Sequence, residues 1–240
     1  MIKLETHVHT IGTSHCADCP LDKAIEIIKS NGYGAVTFVN HISPKSFRYL
    51  GESDYKSNLD KFYALQDEAE QAYRQAGLKV FIGVEVGYVV DGKVLEFILL
   101  GLPKEAVYEN VLFELSQKQL FDLVNKYDGF MYQPHPFRTY VQLGDPKYMH
   151  GAESFNGHYH FDNQNDKAKE FCEKYNLIQL SGNDFHHDGR PMFSGIYIPE
   201  NINTTRDYIN FLKKNNFTLI TNEEGHKRIF EEYMESKKWV

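Results

Sequence analysis

The sequence predicts a single α/β domain built on a largely parallel sheet. Three observations carry this reading. Strand-like and helix-like segments alternate along the 240 residues. No Gly/Ser/Pro-rich or charged linker divides them. Histidines and acids recur at the C-terminal ends of successive strand segments, the edge at which α/β sheets build sites. A chain of this length, 42% hydrophobic and 25% charged, can bury one large core and is short for two.

The elements follow in order. "IKLETHV" reads as a first strand, and "PLDKAIEIIKSNGYG" as a helix with Pro at its start and Gly at its stop. "AVTFVNH" is β-branched and aromatic, hence a strand. "SNLDKFYALQDEAEQAYRQAG" has helical periodicity ending on Gly77. "KVFIGVEVGYVV" and "KVLEFILLGL" are strands separated by the turn signal Asp91-Gly92. "VLFELSQKQLFDLVNKYDG" reads as one helix, "FMYQPHP" as a short strand, and "GAESFNG" and "LIQLSGND" as strands flanking the helix "NQNDKAKEFCEKYN". "SGIYIPE" is a further strand, "NTTRDYINFLKKNN" a helix with an Asn or Thr cap, and "GHKRIFEEYMESKKWV" a last, outer helix. His226 in that last helix is expected at the surface.

Composition removes several function classes. The net charge of −7 without a Lys/Arg stripe argues against a general nucleic-acid binder. No run approaches the roughly 18 apolar residues of a membrane span. "MIKLETHVHT" lacks the apolar core of a secretory signal. Cys16, Cys19 and Cys172 form an odd set, which suits reduced thiols and a cytoplasmic setting. Cys16 and Cys19 have half the spacing of a zinc site and no second pair.

The chemistry lies in the histidines. His7 and His9 are two apart after an apolar lead-in, so on a strand both rings share a face. Asp184 and His186 in "SGNDFHH" repeat that arrangement with a carboxylate and an imidazole. Glu85 is a charged residue inside an apolar strand, costly to bury unless paired or metal-bound. His41 and His135 also fall at strand ends. Imidazoles and carboxylates converging from several strand ends suit a divalent transition metal such as Zn, Mn or Fe.

These motifs, "HVHT", "SH", "VNH", "GVE", "QPHPF" and "SGNDFHH", occur in the order found in the PHP (polymerase and histidinol phosphatase) family, which the chain resembles from residue 7 to residue 186. The resemblance implies a distorted (β/α)7 barrel with two or three metal ions at its C-terminal mouth. By position it implies His7, His9, Glu85 and Asp184 around one ion, with Glu85 bridging to a second ion that His135 also holds. His15, His41 and His186 would hold a third. Asn40 stands where many members carry Asp, which alters the support of His41 rather than the ligand set. One departure is plain: no His lies between His41 and His135, where members often supply one after the fourth strand.

The resemblance implies hydrolysis of a small phosphomonoester by a metal-activated water, with Glu85, Asp184 and His186 at the reacting centre. Arg138 in "HPFR" has the fork geometry for a phosphate, and Arg190 is a second candidate. His158 and His187 are further candidate substrate contacts. Asn156 is expected at the mouth and Glu153 beneath it. Other readings stand beside this one: hydrolysis of an amide or lactone by the same site, a nuclease acting on single-strand ends, and a metal-binding module without activity. Retention of eight expected ligands argues against the last.

Overall fold

The computed structural model describes residues 1–187 and 191–237, and Arg190 lies outside them. The chain opens with β1 (Ile2–Val8), α1 (Leu21–Ser30), β2 (Tyr33–Phe38), β3 (His41–Ile42), α2 (Pro44–Leu50) and α3 (Tyr55–Gln75). The middle holds β4 (Lys79–Val90), β5 (Lys93–Leu100), α4 (Lys104–Glu109), α5 (Gln117–Lys126), β6 (Phe130–Gln133) and β7 (Gly151–Asn156). It ends with α6 (Asn165–Tyr175), β8 (Ile178–Gly182), β9 (Ser194–Ile198), α7 (Thr205–Lys213), β10 (Leu219–Thr221) and α8 (Glu223–Lys237).

The sheet runs β10-β9-β1-β2-β4-β5-β6-β7-β8, with the two-residue β3 on β4. It curls until the segment after β8 meets β1: the Phe185 N–H donates to His7 O at 2.9 Å, and the His9 N–H donates to Phe185 O at 3.0 Å. Near the C-terminal end of β8, the Ser181 hydroxyl accepts from Gly195 N–H and donates to Ile220 O, bringing β9 and β10 against the strand. The fold is therefore a mixed α/β, nearly closed barrel in which β1, β2, β4, β5, β6, β7 and β8 follow one another round.

The expectation of a largely parallel sheet is corrected. β4–β5, β5–β6, β1–β9 and β9–β10 pair antiparallel. The Asp91-Gly92 link explains the first, since a two-residue turn cannot carry the crossover that parallel strands need; both residues have positive φ (49° and 79°), as hairpin turns require. The single helix expected across "VLFELSQKQLFDLVNKYDG" is also corrected. Ser116 breaks it, capping α5 through a reciprocal box with Gln119 and leaving only a 3-10 turn, Leu112–Glu114, before it. α2, α4, β3 and β10 are short elements that the sequence pattern does not announce.

Apolar packing fixes the barrel from outside and below. Ile42, Phe47, Leu59, Phe62, Leu120 and Phe171 join the sheet to α2, α3, α5 and α6. Leu4, Phe81, Ile98, Tyr132 and Leu180 meet Tyr208 and Leu212 of α7. Phe38 and Ile28 pack with Tyr73 of α3 on another side. Among the described residues no helix is long and apolar enough to cross a membrane.

Candidate metal centre

The remaining barrel end is polar. His7 is the next-to-last residue of β1 and His9 directly follows the strand, their Nε2 atoms 3.0 Å apart. Both nitrogens face Glu85 Oε2, at 3.5 and 3.2 Å, and Asp184 Oδ1, at 3.2 and 3.4 Å. Glu85 comes from the middle of β4, where the register sets it beside His41 of β3; His41 Nδ1 is 3.2 Å from Glu85 Oε2. His135 Nε2 approaches the other oxygen, Oε1, at 3.5 Å. Among the described residues neither oxygen of this fully buried carboxylate has a hydrogen-bond partner. A buried anion ringed by nitrogens that do not hydrogen-bond to it fits a cation between them. Donor atoms in three sets lie within 4.8 Å of one another and could hold an ion: His7, His9 and Glu85; His7, His135 and Asp184; His9, His41 and His186.

The outer nitrogens of the rings are held by the fold. His7 Nδ1 meets Glu153 Oε1 at 2.8 Å, and the other Glu153 oxygen accepts from the His135 N–H at 3.0 Å. His9 Nδ1 lies 3.2 Å from Ser14 Oγ, His15 Nδ1 3.0 Å from Ser46 Oγ, and His186 Nδ1 2.8 Å from Asp184 O. Such outer contacts fix ring orientation for a ligand nitrogen. Asn40 works one step further out: its Oδ1 accepts from Thr10 N–H at 2.7 Å and from Ser14 Oγ, which in turn accepts from the His41 N–H. The sequence pointed to support of His41, and the path runs through Ser14.

Electrostatics agree with the geometry at the carboxylates and at most of the rings; burial would lower His7, but the Glu153, Asp184 and Glu85 carboxylates outweigh it and hold that ring well above the ordinary imidazole value. Burial alone would raise Glu85 and Asp184. The imidazoles of His41 and His7 outweigh it for Glu85, and His7, His186 and Arg138 do so for Asp184, so both sit well below the usual carboxylate range. Burial pushes His15 down to about 4 and lowers His135 and His186 as well. Ionised carboxylates and neutral imidazoles are the forms that bind metal. Asp184 and His135 both adopt positive φ, 53° and 30°, a rare state for residues with a side chain and one that clusters at functional sites.

Arg138 differs from expectation. It is 3% exposed, and its Nη1 donates to Asp184 Oδ2 at 2.8 Å and to Tyr140 Oη at 3.1 Å. Its Nε donates to Asn163 and its Nη2 to Asn156. The guanidinium has five N–H donors and four of these bonds are made inside the protein, so it is anchored on Asp184 while still lining the cavity. Asn156, expected at the mouth, is buried and serves this anchor. His158 is more central than expected, forming a further possible donor set with Asp184 and His186. His187 lies on the rim of the cavity with its Nδ1 on Asp18. His15 also lines that cavity, outside the three-donor sets found among the described residues. His226 is buried against Phe155 and Phe193, not at the surface, because α8 turns that side inward. Cys16 and Cys19 are in no disulfide, and among the described residues neither joins such a set.

Three residues escaped the sequence reading. Glu5 is buried and accepts from the N–H groups of His7 and Asn183, tying the two ligand-bearing segments together. Glu96 of β5 faces the cavity, and His41, Glu85 and Glu96 form one more set of close donors. Ser14 was not singled out. A glutamate inside an apolar strand was the available signal for both acids, the same one that marked Glu85.

His41, His135, Asp184 and His186 form the floor of a cavity of about 710 Å3, lined also by Lys45, Arg48, Tyr88, Tyr140 and Phe161. That volume is in the range of small-molecule sites.

The structure resembles several solved ones. A two-domain protein from Bacteroides vulgatus, described as containing a predicted PHP-like metal-dependent phosphoesterase, has a TM-score of 0.64 at 17% identity, over 97% of this chain and 69% of that one. PsfC from Pseudomonas syringae has a TM-score of 0.64 at 12% identity, over 100% and 99%. An amidohydrolase from Chromobacterium violaceum, with bound sulfate and no metal, has a TM-score of 0.58 at 13% identity, over 92% and 99%. No curated protein matches the sequence. The family model of the PHP domain matches residues 5–223, the span that contains every donor named above, and the chain therefore belongs to the PHP domain family, whose members bind divalent metals.

Proposed function

We propose that this protein is a divalent-metal-dependent hydrolase of a small phosphomonoester. The observation that carries the reading is the buried, unpartnered Glu85 carboxylate among His7, His9, His41, His135 and Asp184. Two or three Zn, Mn or Fe ions bound there would acidify a water and offset the charge of a phosphoryl group. His7, His9, Asp184, His41, His186 and His135 would hold them, with Glu85 shared, and His15 would approach from the rim.

The chain's own residues do the rest. Glu153 fixes the His7 ring, and Arg138 fixes Asp184. Lys45 and Arg48 of α2 stand at the rim, where exposed cations would meet an entering dianion. His187, held by Asp18 on the same rim, is placed to pass a proton to a leaving oxygen. His158 stands beside His186, ring centroids 6.2 Å apart, where a substrate would lie over the donors. The cavity volume supports a small substrate rather than a polymer. The likeness to an amidohydrolase keeps amide or lactone hydrolysis as a second reading, since the same donors serve either bond.

A panel of phosphomonoesters, amides, lactones and a single-stranded oligonucleotide, run on metal-loaded protein, tests this. Turnover of a phosphomonoester, abolished by chelation and by Asp184→Asn, is expected. Hydrolysis confined to the amides or lactones would transfer the function to the second reading, and inactivity across the panel would overturn both.

A further inference from the structure

We propose that Glu96 is a metal-binding carboxylate, completing with His41 and Glu85 a donor set on the mouth side of the cavity. The inference rests on the metal-centre reading above and adds a ligand to it. In the β4–β5 hairpin Glu85 pairs with Ile98 and Gly87 with Glu96, so Glu96 follows Glu85 on one face, a step nearer the mouth. Its Oε2 is buried and has no hydrogen-bond partner among the described residues. Donor atoms of His41, Glu85 and Glu96 lie within 4.8 Å of one another.

Gly87 supplies independent support. A Cβ at that position would stand 3.1 Å from Glu96 Cγ and 3.4 Å from Glu96 Oε1. The missing side chain thus makes the space in which the Glu96 carboxylate lies against the sheet. Glu96 and Asp184 line the cavity, Glu85 lies buried beside Glu96 and His41, and Arg138 is anchored on Asp184. Close carboxylates of like charge, buried together, are stabilised by a shared cation. A carboxylate shifts such a site toward Mn or Fe relative to an all-imidazole set.

The test measures metal, not activity. Wild type, Glu96→Gln and Gly87→Ala are loaded with Mn2+, dialysed, and analysed for bound equivalents and for affinity by chelator competition. Glu96→Gln is expected to lose one equivalent or bind it at least about tenfold more weakly while the remaining equivalents stay. Gly87→Ala should weaken the same ion by displacing the carboxylate, and Glu96→His should restore it. Unchanged stoichiometry and affinity in Glu96→Gln overturn the proposal and leave the rest of the metal centre standing. A wild type that binds no ion overturns both. Should Glu96→Gln fail to fold, a crystal structure of metal-loaded wild type decides: an ion within about 2.3 Å of a Glu96 oxygen supports the proposal, and none there overturns it. Absence of phosphatase activity in a protein that passes these tests would count against the proposed substrate only.

Discussion

Arg138 shows how a single residue can govern a centre it does not join. Its bond to Asp184 is a buried ion pair, and removing one partner of such a pair typically costs about 3–5 kcal/mol. Arg138→Lys keeps the charge but loses the fork that reaches Asp184, Asn156 and Asn163 at once. We expect it to weaken metal binding by about 10–100-fold, as loss of an outer contact to a ligand does. Chelator competition measures this, and unchanged affinity would return Arg138 to the phosphate role that its position in "HPFR" suggested. At this scale the sequence was legible where spacing of two marked a shared strand face, as with His7/His9 and Asp184/His186. Glu5 and Glu96 carried the signal of a glutamate inside an apolar strand, but that signal was ambiguous. Each alternates with apolar neighbours as a solvent-facing residue does, and only barrel closure turns that face inward.

Among the elements, the β4–β5 hairpin and the capped start of α5 were written in short signals, Asp-Gly and Ser-x-x-Gln. Their consequence for strand direction needed the pairing partners. The junction of β6, β7 and α5 carries a pH-sensitive contact. His150 Nδ1 accepts from the Met131 N–H at 3.0 Å, and its ring stacks on Phe130 with centroids 5.2 Å apart. Burial, with Lys213 assisting, lowers its pKa. The sign follows from linkage. Below the ordinary imidazole value of 6.5 the unfolded chain takes a proton that the folded ring refuses. The contribution of His150 is therefore present above that pH and lost as pH falls through the lowered value. His150→Asn should reduce stability at pH 8 and flatten its decline toward pH 5. Parallel denaturation curves for the two proteins across that range would refute the assignment.

For the whole molecule, an α/β domain was legible from alternation, and the barrel from the family resemblance. The mixed sheet was not, because direction is set by which strands meet across long loops. Metal binding should stabilise the entire fold, since the donors come from β1, β3, β4 and the segments after β6 and β8. Ion at about 100 times its dissociation constant adds about 2.7 kcal/mol per site, or roughly 5–10 °C in melting temperature for a domain of this size. A thermal scan with and without chelator checks this. The clasp of Phe185 on His7 and His9 then acquires a kinetic meaning. Two donors flank one side of that clasp, and Asp184 and His186 flank the other. Parting the strands there separates all four at once, so the barrel cannot open at this seam while an ion spans it. An ion held on both sides of the clasp would then be expected to leave in step with the local opening that exposes the Phe185 and His9 amides. Bound metal should slow hydrogen exchange at those two amides more than at amides of α8, and exchange off the ion should keep pace with their opening rather than with diffusion.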